Sequence, residues 1–268
     1  MKYVIDTPQT IKEFLKGTPL SKAMIKRIKN NGDFLVNEKH QTVRYILQQG
    51  DVLEIILPQE STNIKPQEMP LNIVFEDDYY MIIDKQPGIP CIPTKRHPKY
   101  TLANGLVYYF QQKHISSTVH LVNRLDKETS GYMLVAKDSL SHALLSSDIK
   151  QVKRVYHCLV DGLLEGKGTI DLPILQKENS VQRCIDEKGK RSLTHYCVLK
   201  QNTKQTLVEC VLETGRTHQI RVHMASLGHP LSGDVLYGSK VQQDIYLDSV
   251  EIQFVHPYTK QLISFQKD

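Results

Sequence analysis

Three strand-like runs, at 155–160, 193–199 and 207–212, follow one another with no helical segment between them, and they restrict the fold more than any other feature. Each is rich in β-branched, aromatic and other apolar residues, as strands of a packed sheet are. Upstream, 71–75 and 79–83 read as two more strands. Helices are expected at 101–112, with Leu102, Leu106 and Tyr109/Phe110 on one side, and at 139–146. There is no βαβ alternation and no internal repeat. The pattern therefore predicts an α+β domain on a mostly antiparallel or mixed sheet, not a doubly wound parallel one.

The first sixty residues read as a separate, smaller unit of helices and a β-hairpin. Thr10 and Glu13 form a capping box for a short helix through Ile11, Phe14 and Leu15 to Gly17. A second helix is expected from Ser21, with Met24, Ile25 and Ile28 turned inward, ending near Asn30, Asn31 and Gly32. Short strands are expected at 34–37, 42–47 and 52–57. Lys22, Lys26 and Lys29 stand at i, i+4 and i+7, so they share one face, and Arg27 adds to it. Taken alone, such a stripe is a solvated helix face. A polar stretch with one proline, from Gln59 to Met69, suits a linker. The expected division is 1–60, a linker at 61–70, and 71–268.

Composition excludes more than it selects. With 268 residues and 40% hydrophobic residues, the chain can build two cores. No apolar run reaches the roughly 18 residues that span a bilayer, and the polar start does not read as a signal peptide. Five scattered cysteines with no C-x-x-C pair disfavour both a disulfide framework and a zinc site, and fit a reducing cytoplasm. The formal net charge of +5 permits a polyanionic partner without requiring one.

Chemistry is concentrated in a few segments. Asp126 lies between the apolar residues Val119, Leu121 and Val122 and the strand-like run 132–136, on a turn closed by Thr129, Ser130 and Gly131. A lone Asp there would do no more than cap the turn. Arg154 and Tyr156, two apart on a strand, share a face. In 213–228 a helix is expected with Thr217 as N-cap and Ile220, His223, Met224 and Leu227 on the core stripe. That makes His223 a buried, hydrogen-bonded histidine and leaves His218 and Arg221 on the free face. His218, His223 and His229 have the wrong offsets to bind a metal together, so no metal is assigned.

In this order the segments resemble the RluA-type pseudouridine synthases. The R-L-D-x-x-T-S-G motif of that family is matched by Arg124, Leu125, Asp126, Thr129, Ser130 and Gly131. Its basic-x-tyrosine motif is matched by Arg154 and Tyr156. Its G-R-T-H-Q-I-R-x-H block is matched from Gly215 to His223, and H-P-x-x-G-D-x-x-Y-G from His229 to Gly238. The chain departs from the family pattern at Asn123 and Asp248, where histidine is usual, and at Lys85-Gln86-Pro87-Gly88, where K-P-x-G is usual. The first sixty residues resemble the S-four-like RNA-binding domain common in the same family.

The resemblance implies a pseudouridine-synthase-type catalytic domain that isomerises uridines in ribosomal or transfer RNA, as a monomer and with no cofactor. It implies that Asp126 is the reacting carboxylate, that Arg221 pairs with it and that Tyr156 lies against the uracil. Arg124, Arg154, Arg216 and His218 are then expected to contact the substrate, and Lys22, Lys26, Arg27 and Lys29 the RNA phosphates. Attack at C1′, attack on the base, and proton abstraction from the ribose are all open to Asp126. Two rivals belong to other classes: an RNA-binding protein without catalysis, and a hydrolase using Asp126 with His218.

Overall fold

The computed structural model describes residues 1–18, 20–58, 60–178 and 180–267, and the chain divides into two compact units. The smaller comprises Met1–Asn63 with Ser116–Thr118, the larger Ile64–Ile115 with Val119–Asp268. The division falls inside the stretch read as a linker; Gln59, where that stretch was expected to begin, lies outside the described residues.

In the smaller unit, strands β1 (Lys2–Val4), β3 (Asp33–Val36), β4 (Lys39–His40) and β6 (Val52–Ile56) form an antiparallel sheet in the order β1-β6-β3-β4. Strands β2 (Gln9–Thr10) and β5 (Ile46–Leu47) pair separately. Helix α1 (Ile11–Lys16) starts at the expected capping box of Thr10 and Glu13. Helix α2 (Lys22–Asn31) starts at Ser21, whose side chain accepts from the Met24 amide. It buries Met24 and Ile28 and leaves Lys22, Lys26, Arg27 and Lys29 exposed. The strand expected at 42–47 is real only at Ile46–Leu47, because residues 43–44 form a turn in which the Tyr45 amide bonds back to the Thr42 carbonyl.

The larger unit is built on one ten-stranded sheet, the α+β architecture that the strand pattern predicts. Its strands are β7 (Ile73–Glu76), β8 (Tyr80–Lys85), β9 (His120–Leu121), β10 (Ser130–Ala136), β11 (Lys153–Asp161), β12 (Lys167–Asp171), β15 (Leu193–Gln201), β16 (Gln205–Leu212), β17 (Leu247–Val255) and β18 (Leu262–Gln266). The order is β12-β15-β16-β11-β17-β10-β8-β7, with β18 on β17 and β9 on β10. Strands β13 (Ile174–Gln176) and β14 (Arg183–Ile185) form a separate hairpin. Helices α3 (Leu102–Gln112), α4 (Ser139–Ser146) and α5 (Gln219–Ser226) complete the unit.

Alternation along β8 and β10 explains why both strands read as continuous apolar runs. Met81, Ile83, Met133 and Val135 join one core with Leu102, Leu106 and Phe110 of α3 and Ile220 and Met224 of α5. Tyr80, Ile82, Tyr132, Leu134 and Ala136 join a second core with Leu145 of α4. A strand covered on both faces has no polar side to show. Every pairing in the sheet is antiparallel except β10 with β17, where Ser130 lies opposite Asp248 and Gly131 opposite Ser249. That contact requires glycine: Gly131 has φ +100°, and a Cβ there would collide with the Ser249 backbone. The turn that carries Asp126 is thereby anchored to the middle of the sheet.

Candidate active site

Asp126 sits on the loop between β9 and β10, where the Thr129 amide donates to the Asp126 carbonyl at 3.2 Å. Backbone closes this turn, and among the described residues the carboxylate caps nothing. It borders instead a cavity of about 480 Å³ whose lining includes residues 90–92, residues 123–127, Arg154, Tyr156 and residues 214–217.

The loop is gripped from several sides. Lys85 is buried, and its Nζ donates to the carbonyls of Gln86 (2.8 Å), Ile89 (3.0 Å) and Lys127 (3.1 Å). The Gly88 amide donates to the same Lys127 carbonyl at 2.9 Å. The Lys85–Gly88 turn therefore holds the residue next to Asp126. Burial pushes the Lys85 ammonium pKa down, against the pull of Cys91, Glu128 and Asp126. At the far end of the loop Ser130 Oγ donates to Asp248 at 2.7 Å, and Asp248 accepts from Lys267 Nζ at 2.9 and 3.0 Å. Asp248, one of the departures from the family pattern, is thus a clamp. Asn123, another of them, accepts the Leu134 amide through Oδ1 at 2.8 Å and so completes the ladder beside β10.

Tyr156 lies on β11, 4% exposed, and lines the cavity. Burial raises its pKa, so the side chain is a neutral phenol. The buried Asn123 Nδ2 and Ser249 Oγ lie beside that hydroxyl without completing a hydrogen bond, and neither has another partner among the described residues. Arg154, two residues before, borders the same cavity and is buried. It is 2% exposed, with Nε donating to the Val152 carbonyl (3.1 Å) and Nη2 to the Leu212 carbonyl (2.8 Å), which ties β11 to the end of β16. Arg124 and Arg216 are exposed at the rim.

Arg221 reaches Asp126, with Nη1 3.9 Å from Oδ2, yet the expected free helix face does not exist. Helix α5 is buried from Gln219 through Met224, because β14, β15 and the segment carrying Asp234 and Tyr237 all pack against it. Arg221 is buried and bidentate to the buried Asp234, at 2.6 and 2.7 Å, and its guanidinium lies over the Tyr237 ring at 5.0 Å. Burial works against this charge, but the bonds to Asp234 and the nearby Asp126 more than offset it, and the net shift of its pKa is upward.

The helix also begins later than expected. His218, not Thr217, is the N-cap, in the left-handed region at φ 59°. The buried Gln219 amide sets this entry: its Oε1 accepts from the Thr214 hydroxyl (2.8 Å) and the Arg216 amide (2.9 Å), and its Nε2 donates to the Leu193 carbonyl and Thr194 Oγ1 at 3.0 Å each. His218 Nε2 is 4.0 Å from Asp126 Oδ2, and Nδ1 is 2.7 Å from the Tyr237 hydroxyl. Burial lowers the His218 pKa. His223 is fully buried between Thr194 Oγ1 (2.8 Å) and the Leu172 carbonyl (3.1 Å), as its place on the core stripe predicts. Asp234, Tyr237 and Gln219 received no role from the sequence, although all three stand in its quoted motifs.

A sheet-based α+β unit with a carboxylate and a buried tyrosine on one cavity, and a buried arginine 3.9 Å from that carboxylate, defines a class. Residues 79–226 match the family model described as RNA pseudouridylate synthase, and the chain belongs to that family, the one to which the RluA-type enzymes belong. It is an isomerase that converts uridine in RNA to pseudouridine. It is 42% identical over 266 residues to the "Uncharacterized RNA pseudouridine synthase YjbO" of Bacillus subtilis, covering 96% of this chain and 94% of that one. It is 36% identical over 236 residues to the ribosomal large subunit pseudouridine synthase D of Zymomonas mobilis, covering 81% of this chain and 74% of the relative. The fold matches human RNA pseudouridylate synthase domain containing 1, with a TM-score of 0.60 at 24% identity over 78% of this chain and 86% of that one. An RNA-binding protein without catalysis and a hydrolase are both set aside by these matches. No helix among the described residues is long and apolar enough to cross a membrane.

Proposed function

We propose that Asp126 is the reacting carboxylate and that this chain modifies uridines in structured ribosomal or transfer RNA. The observation that carries the reading is the state of that side chain. It borders the cavity, caps no backbone, and has Arg221 Nη1 at 3.9 Å and His218 Nε2 at 4.0 Å. In the reaction the N1–C1′ bond breaks, C5 bonds to C1′, the C5 proton leaves and N1 takes up a proton. The balance needs no oxidant and no energy source. An ionised carboxylate beside the ribose suits the bond-breaking step, whether it attacks or stabilises charge. Arg221 sets a cation 3.9 Å from the Asp126 carboxylate, and Asp234 holds Arg221 in place. Tyr156 forms the wall against which the uracil lies, with Arg124 and Arg216 at the rim for the flanking phosphates or the gap left by the extruded uridine.

The smaller unit serves, in this reading, as an S-four-like RNA-binding domain, with Lys22, Lys26, Arg27 and Lys29 contacting phosphates. Its support is an exposed basic helix face with a neighbouring sheet. The test uses RNA transcribed with C5-tritiated uridine. Asp126→Asn is expected to abolish tritium release to water while retaining native affinity in a filter-binding assay. Tritium release surviving in that variant sinks the assignment of Asp126.

A further inference from the structure

Tyr237 belongs to no expected catalytic set, yet its hydroxyl is the meeting point of three elements. The Arg183 amide, on β14 of the separate hairpin, donates to the Tyr237 oxygen at 2.9 Å. His218 Nδ1 lies 2.7 Å from that oxygen, and the ring of Tyr237 lies beneath the Arg221 guanidinium. His218 itself is at the N-cap of α5 in the left-handed region, so its backbone adds a constraint on where the ring points.

Proton counting orients this chain of bonds. A backbone amide can only donate, so the phenol oxygen accepts from Arg183. The phenol has one proton to give, and among the described residues His218 Nδ1 is the one group within reach to take it. If Nδ1 carried its own proton and donated, the phenol proton would have no acceptor among the described residues. The economical arrangement runs from the Arg183 N–H to the Tyr237 oxygen, and from the Tyr237 O–H to an unprotonated Nδ1. A neutral imidazole of that kind carries its proton on Nε2, the nitrogen that faces Asp126.

We propose that Tyr237 is a positioning residue that fixes His218 as its Nε2–H tautomer, so that Asp126 faces an uncharged N–H donor on one side and the Arg221 cation on the other. The other tautomer would turn a nitrogen lone pair toward the carboxylate, which repels it and leaves a base at a site that has to exclude water chemistry. Through Arg183, the same bond ties the Asp126 environment to the β13–β14 hairpin. The inference rests on the reading of Asp126 as the reacting group for its consequence, though not for the tautomer itself.

The experiment labels the full chain with ¹⁵N-histidine and records long-range ¹H–¹⁵N correlations at neutral pH, with the His218 signals assigned by their loss in His218→Gln. The native protein is expected to show His218 with Nδ1 unprotonated and Nε2 protonated. Tyr237→Phe, which keeps the ring under Arg221, is expected to lose that pattern and to lower kcat about ten- to a hundredfold with KM for RNA within about twofold, the size expected for a misplaced hydrogen-bonding group near a reacting carboxylate. A native spectrum with the proton on Nδ1 overturns the proposal, and this result does not depend on the variant folding. Native kcat in a folded Tyr237→Phe overturns it equally. If the tautomer is as stated but Asp126→Asn remains active, the reading of Asp126 falls and the assignment of Tyr237 to His218 stands.

Discussion

The cavity around Asp126 and the outer face of α2 are both rich in cations, and they use them in opposite ways. Arg154, on the cavity wall, and Arg221, beside Asp126, are 2% and 9% exposed and bond to two carbonyls and to Asp234, respectively. On α2, Lys22, Lys26, Arg27 and Lys29 are exposed, and none is in ion-pair contact among the described residues. A buried guanidinium is costly unless fully paired, so its partners dictate its position to within a bond length. An exposed ammonium costs little and is placed by nothing except its helix. The first kind of cation can shape a reacting group; the second supplies attraction to a polyanion without fixing where any atom lies.

Substitutions at the two places separate these behaviours. The largest effect is expected for Arg221→Ala, which leaves Asp234 buried and unpaired. Urea denaturation should show a loss of roughly 3–5 kcal/mol, together with loss of tritium release. A loss under 1 kcal/mol would mean that the guanidinium is not the strut described. Lys85→Met comes next. It removes the donor from three carbonyls, including that of Lys127, and is expected to cost roughly 1–3 kcal/mol and to lower kcat by loosening the Asp126 loop. If thermal melting shows it to be neutral, the loop is held elsewhere. The smallest effect on stability belongs to the quadruple change of Lys22, Lys26, Arg27 and Lys29 to Gln, expected within about 0.5 kcal/mol of the native value. Its signature lies in binding: the slope of log affinity against log salt should fall by roughly 3–4. An unchanged slope would remove the α2 face from the RNA contact.

The same contrast separates what was legible in the sequence from what was not. Six of the sheet's ten strands (β7, β8, β10, β11, β15 and β16) follow from apolar runs, as α3 and α4 follow from helical spacing, whereas β9, β12, β17 and β18 were not read from the sequence. Asp126, Tyr156 and Arg221 stand in motifs specific enough to pick out. The structure sets Asp126 and Tyr156 on one cavity and brings Arg221 to within 3.9 Å of Asp126. Periodicity reports which face of a helix is apolar but not what covers the opposite face. The wheel of α5 therefore left Arg221 free, whereas residues 231–237 bury it through Asp234 and Tyr237. For the same reason the bracing bonds of Arg154 were not legible in the sequence. Its partners, the carbonyls of Val152 and Leu212, are backbone groups whose positions only the folded strand ends define. The N-cap shifted from Thr217 to His218 because the Gln219 amide organises the loop before it, and no local signal marks a glutamine as a staple. On α2 nothing of this sort was lost: a solvated face has no long-range partner for the sequence to conceal.

Single-turnover tritium release, with enzyme in large excess over C5-tritiated RNA, tests the central claim most directly, because it removes affinity from the comparison. Asp126→Asn is expected to release no tritium at any enzyme concentration, while the quadruple α2 variant reaches the native rate once enough enzyme is present. Release by Asp126→Asn, or a quadruple variant that stays slow at saturation, would contradict the division between a reacting cavity and a surface that only attracts.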